Sequence, residues 1–367
     1  MASDPTNASG PIREADGRRP QLDGLRFLAF LAVFLFHARP DRCPWGWAGV
    51  QFFFALSGFL ITRILILGET GDLSRDLRRF YWRRTLRIFP LYYALLAWMA
   101  LTGPLPDLGW YLAYLSNVRA YLDGSLGGPL SHFWTLAVEE QFYLLYPLLL
   151  LLTPARGRFP LVLGLIAASK AFQLYAHAHL KMPVSRVLLP YCGEDLLWGA
   201  LAGLVDLRMR PRRGVATVSL IAGVPLLLVG YQLRDRHLAM IPGNVQEALG
   251  VSLMALGNTS IVFGAWRTRS RWITAPLAFP PLVYLGQISY GLYAFHMPVV
   301  TGEWMLGIPY GFMIPRPYGA LLLTIALASA SWHFLERPIN RIKDRARRPA
   351  APGAEADVRP SDADPAR

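Results

Sequence analysis

The sequence predicts an all-α, polytopic membrane protein of about ten transmembrane helices with both termini on the cytoplasmic side. Three observations predict it. Of the 367 residues, 53% are hydrophobic and only 17% charged, and mean hydropathy is +0.31; soluble domains carry about 25% charged residues. Apolar runs near the length that crosses a bilayer, about 20 residues, recur ten times. Basic residues crowd every second connection, as they do in cytoplasmic loops.

Residues 1–19 are polar and rich in Gly, Pro and Arg and read as a disordered basic arm, with no cleavable signal peptide. The spans follow near 22–39, 47–67, 88–103, 137–153, 159–178, 188–205, 215–231, 247–266, 281–300 and 318–335. The third is short. Before the fourth, Trp110 to Trp134 reads as an interfacial or re-entrant segment, because Pro104, Pro106 and Gly127-Gly128-Pro129 interrupt it. The membrane domain is expected over 20–343, and a disordered tail rich in Pro, Ala and Asp over 344–367. No second domain is expected after span ten.

Charge supports this order. Arg75, Arg78, Arg79, Arg83, Arg84 and Arg87 lie between spans two and three, Arg156 and Arg158 after span four, and Arg208, Arg210, Arg212 and Arg213 after span six. Arg267, Arg269 and Arg271 follow span eight, and Arg341, Lys343, Arg345, Arg347 and Arg348 follow span ten. The formal net charge of +13 thus sits in short clusters between apolar runs, which excludes a phosphate-tracking, nucleic-acid-binding surface. Two cysteines make no disulfide framework and no CxxC pair offers a metal site. Cys43 and Cys192 both fall on the expected outer side, and their pairing stays open. No metal is expected.

Ionisable groups inside such helices are costly and mark cavities. In QLDGLRFLAFLAVFLFHAR, Arg26 and His37 are eleven positions apart, three turns plus about 20°, so they share a helix face roughly 16 Å apart. They are either snorkelling residues or two ends of a site. His296 lies about as far along span nine as His37 along span one, and is either a partner of that site or packing among Tyr290, Tyr293 and Phe295. Glu139 and Glu140 enter span four at a similar depth. Being adjacent, they project about 100° apart, so one is expected to serve a cavity and the other to pair with an arginine or a backbone amide. Lys170 and Asp195 read as a neutralised pair between neighbouring helices, near Glu194. Ser57 is either a site residue or a small residue for close helix packing.

A histidine is the side chain best suited to act as general base near neutrality, and a carboxylate beside it would fix its tautomer, as in a hydrolytic triad. No GxSxG elbow, Walker A loop, Rossmann fingerprint, HxxxD or HExxH motif is present. What remains is a buried base, a carboxylate and an arginine-rich cytoplasmic mouth suited to a phosphate-bearing donor.

Six blocks in order, LDGLR with His37, VQFFFALSGFLIT, FYWRRTLRIFPLYY, HFWTLAVEEQFYLLYP, ISYGLYAFHMPVV and FLERPINR, resemble the acyltransferase-3 family over about Gln21 to Arg341. These are integral-membrane O-acyltransferases of surface polysaccharides, Nod factors and macrolides. The resemblance implies an acyl-CoA donor, acetyl-CoA above all, with no permanently bound cofactor, and a hydroxylated glycan or small-molecule acceptor, in a bacterial cell membrane. It implies His37 as catalytic base and Arg26, Arg83, Arg84, Arg87 and Ser57 as donor-binding residues. Glu139 and Glu140 fall in its catalytic block, one of them orienting His37. Asp23, Trp134, Tyr143, His296 and Glu336 are further site candidates on its motifs. Thr135 stands where serine is common, and GEDLLWGALAG lacks the arginine that many relatives carry before the acid. Relatives with a fused extracytoplasmic esterase-like domain carry it after the last helix, and none is expected here. The rival class is a proton-coupled transporter, against which no inverted repeat is visible.

Overall fold

The computed structural model describes residues 19–208, 214–235, 241–302 and 317–345. Almost all of the expected N-terminal arm and C-terminal tail, and the basic residues Arg210, Arg212, Arg213, Arg347 and Arg348, lie outside the described residues. Among the described residues the chain is helical with no strand: α1 Pro20–Ala38, α2 Ala48–Leu67, α3 Leu73–Thr102, α4 Leu108–Leu112, α5 Ser116–Asp123, α6 Trp134–Leu152, α7 Arg158–His179, α8 Leu189–Arg208, α9 Val215–Asp235, α10 Gly243–Arg267, α11 Arg271–Leu277, α12 Pro280–Gln287, α13 Ser289–Thr301, α14 Tyr318–Ser331 and α15 Arg337–Arg345.

This is an all-α polytopic membrane protein. Among the described residues, eight helical stretches are long and apolar enough to cross a bilayer. The two other expected spans are helical too, and their composition sets them apart. The first, α8, carries Glu194, Asp195 and Asp206 within twenty residues. The second is the pair α12 and α13, which breaks at Ile288.

One expectation about the third span is corrected. It is not short: α3 runs for 30 residues, and the arginines from Arg75 to Arg87 lie on its first half rather than in a connection. Only residues 68–72 link α2 to α3. Asp72 caps the helix by accepting from the Arg75 amide at 3.0 Å. Asp76, in the first turn, accepts from the Thr70 amide at 2.7 Å and its hydroxyl at 2.9 Å. The first bond satisfies a free amide of the helix start, and the other two tie the connection at Thr70 to the first turn. The Trp110–Trp134 region forms α4, α5 and a 3-10 turn at Ser131–Phe133. It is pinned by Gln141, whose Nε2 donates to the Tyr114 carbonyl at 2.9 Å and to Asn117 Oδ1 at 2.8 Å.

Bilayer hydrocarbon gives helices no hydrophobic reason to associate, so close backbone approach at small residues holds them. A Cβ added at Gly58 would stand 1.8 Å from the Leu196 carbonyl, and one at Gly199 2.0 Å from the Ala55 carbonyl, so α2 and α8 touch backbone to backbone. The small packing residue is therefore Gly58, not Ser57. In the same way Gly24 abuts Leu277, and Gly286 abuts the Asp23 carbonyl, which seats α11 and α12 on the start of α1. On α10, Gly250, Gly257 and Gly264 recur every seven residues, facing Gly230, Gly223 and Ala216 of α9 at the same interval. That period gives a left-handed, close-packed pair.

Buried charges are paired at the helix ends. Asp206 of α8 is clamped between Arg63 of α2 and Arg267 of α10, and the Arg63 guanidinium lies 4.5 Å from the Trp266 ring centre. Arg158 reaches Glu69 with both terminal nitrogens, at 2.8 and 2.5 Å.

Gly58→Leu drives a side chain into the α8 backbone, so it should destabilise the fold by about 1–3 kcal/mol or more. Gly164→Leu on α7, which meets nothing within 4 Å, should stay within about 0.5 kcal/mol of the parent. Thermal midpoints of the detergent-purified variants would read the difference, and equal midpoints would refute the backbone contact.

Candidate functional site

Helices α1, α2, α3, α6 and α13 surround a cavity of about 140 Å³. Pockets that swallow a whole drug-sized ligand run to about 300–1,000 Å³, and this one is narrower. Charge divides it along its length. Arg26 of α1 and Arg84 and Arg87 of α3 line it together with Ile64 and Leu60 of α2. Ser57, Glu139, Glu140 and Tyr143 follow, and Phe53, Thr135, Leu136, Tyr290 and Tyr293 line the rest.

The polar wall is a chain of hydrogen bonds. Tyr143 donates its hydroxyl to Ser57 Oγ at 3.0 Å, and Ser57 donates to Glu139 Oε1 at 2.8 Å. The Arg84 guanidinium lies 4.3 Å from the Tyr143 ring centre. Arg26 is tied to Asp23 at 2.9 Å. Among the described residues, neither Arg84 nor Arg87 is in a salt bridge. Glu140 Oε1 is buried with no hydrogen-bond partner. The cavity therefore presents two guanidinium groups and a carboxylate oxygen that the fold has not used up.

Further along, the cavity wall carries a hydroxyl pair. Thr135 Oγ1 donates to the His132 carbonyl at 2.9 Å, which leaves it to accept from the Tyr293 hydroxyl at 2.7 Å. Past this pair lie three histidines. The His132 and His296 rings are 4.8 Å apart and those of His37 and His296 5.2 Å apart. His296 is fully buried, and its Nε2 faces His37 Nδ1 at 3.3 Å. Among the described residues no group of three His, Cys, Asp or Glu side chains could hold a metal ion. Ring nitrogens of all three histidines instead face backbone carbonyls, of Val33, Tyr293 and Ala294.

The structure thus gathers most of the residues that the sequence singles out, in two groups. Arg26, Ser57, Arg84, Arg87, Glu139, Glu140 and Tyr143 line the cavity; His37 and His296 meet beyond it. Glu139 and Glu140 line one cavity despite the 100° between them, because it extends along the helix. No hydrogen bond joins either glutamate to His37, so the expected carboxylate partner is replaced by His296. Arg83 does not line the cavity. Trp134 packs edge-on against Phe54, ring centres 6.2 Å apart, and also stays outside it. Glu336, buried at the end of a π-helical turn, accepts from Ser331 at 3.0 Å. Asp23 serves by holding Arg26. Sequence reasoning passed over His132, though it stands in the HFWTLAVEEQFYLLYP block, and over Arg63, an arginine inside an apolar run; it noted Thr135 only as a departure from serine.

The expected pair of Lys170 and Asp195 is corrected as well. Lys170 Nζ bonds Glu194 Oε2 at 2.8 Å, Gln173 Oε1 at 2.6 Å and the Ala248 carbonyl at 2.6 Å. Ser252 and Trp198 donate to Glu194 Oε1 at 2.6 and 3.1 Å. Glu194, one position before Asp195, is thus the acid of α8 that meets α7 at Lys170 and α10 at Ser252. Cys43 and Cys192 are both buried and free.

Compared with known proteins, residues 19–334 match the model of an acyltransferase domain. The chain is 29% identical over 359 residues to a Bacillus subtilis protein provisionally named a peptidoglycan O-acetyltransferase, covering 87% of this chain and 54% of that one. It is 27% identical to the peptidoglycan O-acetyltransferase of Listeria monocytogenes, covering 88% and 56%. A provisionally named O-acetyltransferase of Staphylococcus aureus is 26% identical, covering 88% and 57%. The chain spans a little over half the length of these relatives. No solved structure matches it.

The partner of Lys170 separates two substitutions. Glu194→Leu takes the carboxylate from the half-buried Lys170 ammonium and should cost about 1.5–3 kcal/mol, whereas Asp195→Asn should cost far less. Thermal midpoints in detergent would rank them, and an equal or reversed order would contradict the assignment.

Proposed function

The chain belongs to the acyltransferase-3 family, and on that premise we propose that it transfers an acyl group, acetyl above all, from acyl-CoA to a hydroxyl of a glycan. The observation that carries this reading is the narrow cavity with two unpaired arginines, Arg84 and Arg87, and a third, Arg26, beside them. Guanidinium groups bind phosphate oxygens in pairs of charge-assisted hydrogen bonds. A cavity too small for a nucleotide, with cations along it, suits the extended thioester arm of CoA, whose phosphates rest on the arginines. Two of the relatives are named for peptidoglycan O-acetylation, one of them provisionally, which supports a surface-glycan acceptor.

In this reading the acyl carbon lies towards the Thr135–Tyr293 end of the cavity. His37 takes the proton of the acceptor hydroxyl, the oxygen attacks the thioester carbon, and the C–S bond breaks as the ester C–O bond forms. The proton then leaves with the CoA sulfur. Glu139 acts on the donor side, held by Ser57 and Tyr143, and not as the partner of the base. The arginine-rich end faces the cytoplasm of a bacterial cell, by the bias of basic residues towards that side. The donor enters there, and His37 meets the acceptor beyond the hydroxyl pair.

The test is purified protein in detergent with radiolabelled acetyl-CoA and a peptidoglycan fragment. Loss of thioester matched by O-acetylated product supports the reading; movement of acceptor across vesicles without thioester loss would mean transport instead. His37→Ala should lower turnover by about 10²–10⁴-fold, and activity within a few-fold of the parent would remove His37 as base. Arg87→Gln should raise the KM for acetyl-CoA by about tenfold or more, since a hydrogen bond to a charged group contributes about 1.5–3 kcal/mol. An unchanged KM would move the phosphate site elsewhere.

A further inference from the structure

We infer that His296 is a positioning residue that locks His37 in the tautomer whose Nε2 is bare, so that Nε2 is the nitrogen that takes the acceptor's proton. The inference rests on the acyl-transfer reading above and on the pattern of donors and acceptors around three rings.

A carbonyl oxygen only accepts, so a ring nitrogen bonded to one carries a hydrogen. His37 Nδ1 lies 3.0 Å from the Val33 carbonyl and is therefore N–H. His296 Nδ1 lies 2.6 Å from the Tyr293 carbonyl and is N–H as well. A neutral imidazole has one such hydrogen, which leaves His296 Nε2 as an acceptor, facing His37 Nδ1 at 3.3 Å. The His37 Nδ1–H is thus shared between the Val33 carbonyl and His296 Nε2. The other tautomer would put two lone pairs and a carbonyl against one another. With Nδ1 committed, the basic lone pair of His37 is on Nε2.

The surroundings keep this arrangement in place. His132 Nε2 donates to the Ala294 carbonyl at 3.2 Å, so its bare nitrogen is Nδ1, which is buried without a partner. Phe30 stands edge-on to His296 with ring centres 5.9 Å apart. The Val33 carbonyl belongs to the same helix turn as His37, and alone it would leave the ring free to rotate off it. His296 comes from α13, 259 residues away, and fixes the ring from across the helix contact.

This assigns to a neutral imidazole the place that a carboxylate holds in a hydrolytic triad. When Nε2 takes the proton, the Nδ1–H···Nε2 bond to His296 becomes charge-assisted and strengthens. The imidazolium persists until the proton passes to the departing CoA sulfur. His296 touches neither donor nor acceptor in this scheme.

The test compares His296→Leu, which removes the acceptor nitrogen, with His296→Gln, whose amide oxygen can reach the place of Nε2. Acetyl-CoA and a peptidoglycan fragment are the substrates for the whole 367-residue chain. The Leu variant should lose about tenfold or more in kcat with the KM for acetyl-CoA unchanged, and the Gln variant should recover most of the loss. Both should elute as the parent does in size-exclusion chromatography; if Leu does not, His296→Met replaces it. Parental kcat in the apolar variant, with His37→Ala inactive, overturns the positioning role and leaves the base intact. A folded Gln variant as slow as the apolar one overturns it too. An active His37→Ala variant would instead bring down the reading on which the inference rests.

Discussion

The site depends on one backbone contact, the approach of α12 to α1 at Gly286, where no side chain separates the helix from the Asp23 carbonyl. In a bilayer there is little hydrophobic gain in pressing two apolar helices together, and close contact must come from small residues and shape. Gly286 and Gly24 provide it on either side of Asp23. Because α12 turns into α13 only at Ile288, the seating of α12 also sets the position of α13. Tyr290 and Tyr293 then reach the cavity, and one turn later His296 reaches His37. The Arg26–Asp23 pair at the start of α1 and the histidine pair near its end are thus positioned by the same contact.

The second consequence is a division of labour between acids and histidines. Polar groups in the membrane interior are tolerated when they answer one another or face a cavity. Glu139 is answered by Ser57, and Ser57 by Tyr143, and this chain faces the arginines. The histidines answer one another and three backbone carbonyls, behind Thr135 and Tyr293. The arginines and the histidines therefore form two adjoining groups, with a hydroxyl pair between them.

Much of the fold was legible because membrane helices announce themselves by their length and by the basic residues at their cytoplasmic ends. All ten apolar runs are helices. The start of α3 was missed because a string of arginines reads as a loop when hydropathy is the only guide. Its actual signals are the Asp72 cap and Asp76 in the first turn. The break between α12 and α13 was illegible for the opposite reason: both halves are equally apolar. In the site, spacing brought Arg26 and His37 to one face, but which groups touch across helices is a matter of rotation and depth. Hence Glu194 rather than Asp195 takes Lys170, and His296 rather than a glutamate meets His37. His132 was hidden in a short 3-10 turn where no periodicity applies.

The seven-residue glycine interval that joins α9 to α10 bears on mechanics rather than chemistry. A slide of one residue along the pair would carry side chains into the partner's backbone, and the next register that fits lies a full repeat away, about 10 Å along the axis. Shear is thereby forbidden between these two helices. Among the described residues α9 packs chiefly on α10 and leaves most of its surface facing outward, so it is held to the bundle through this one locked seam.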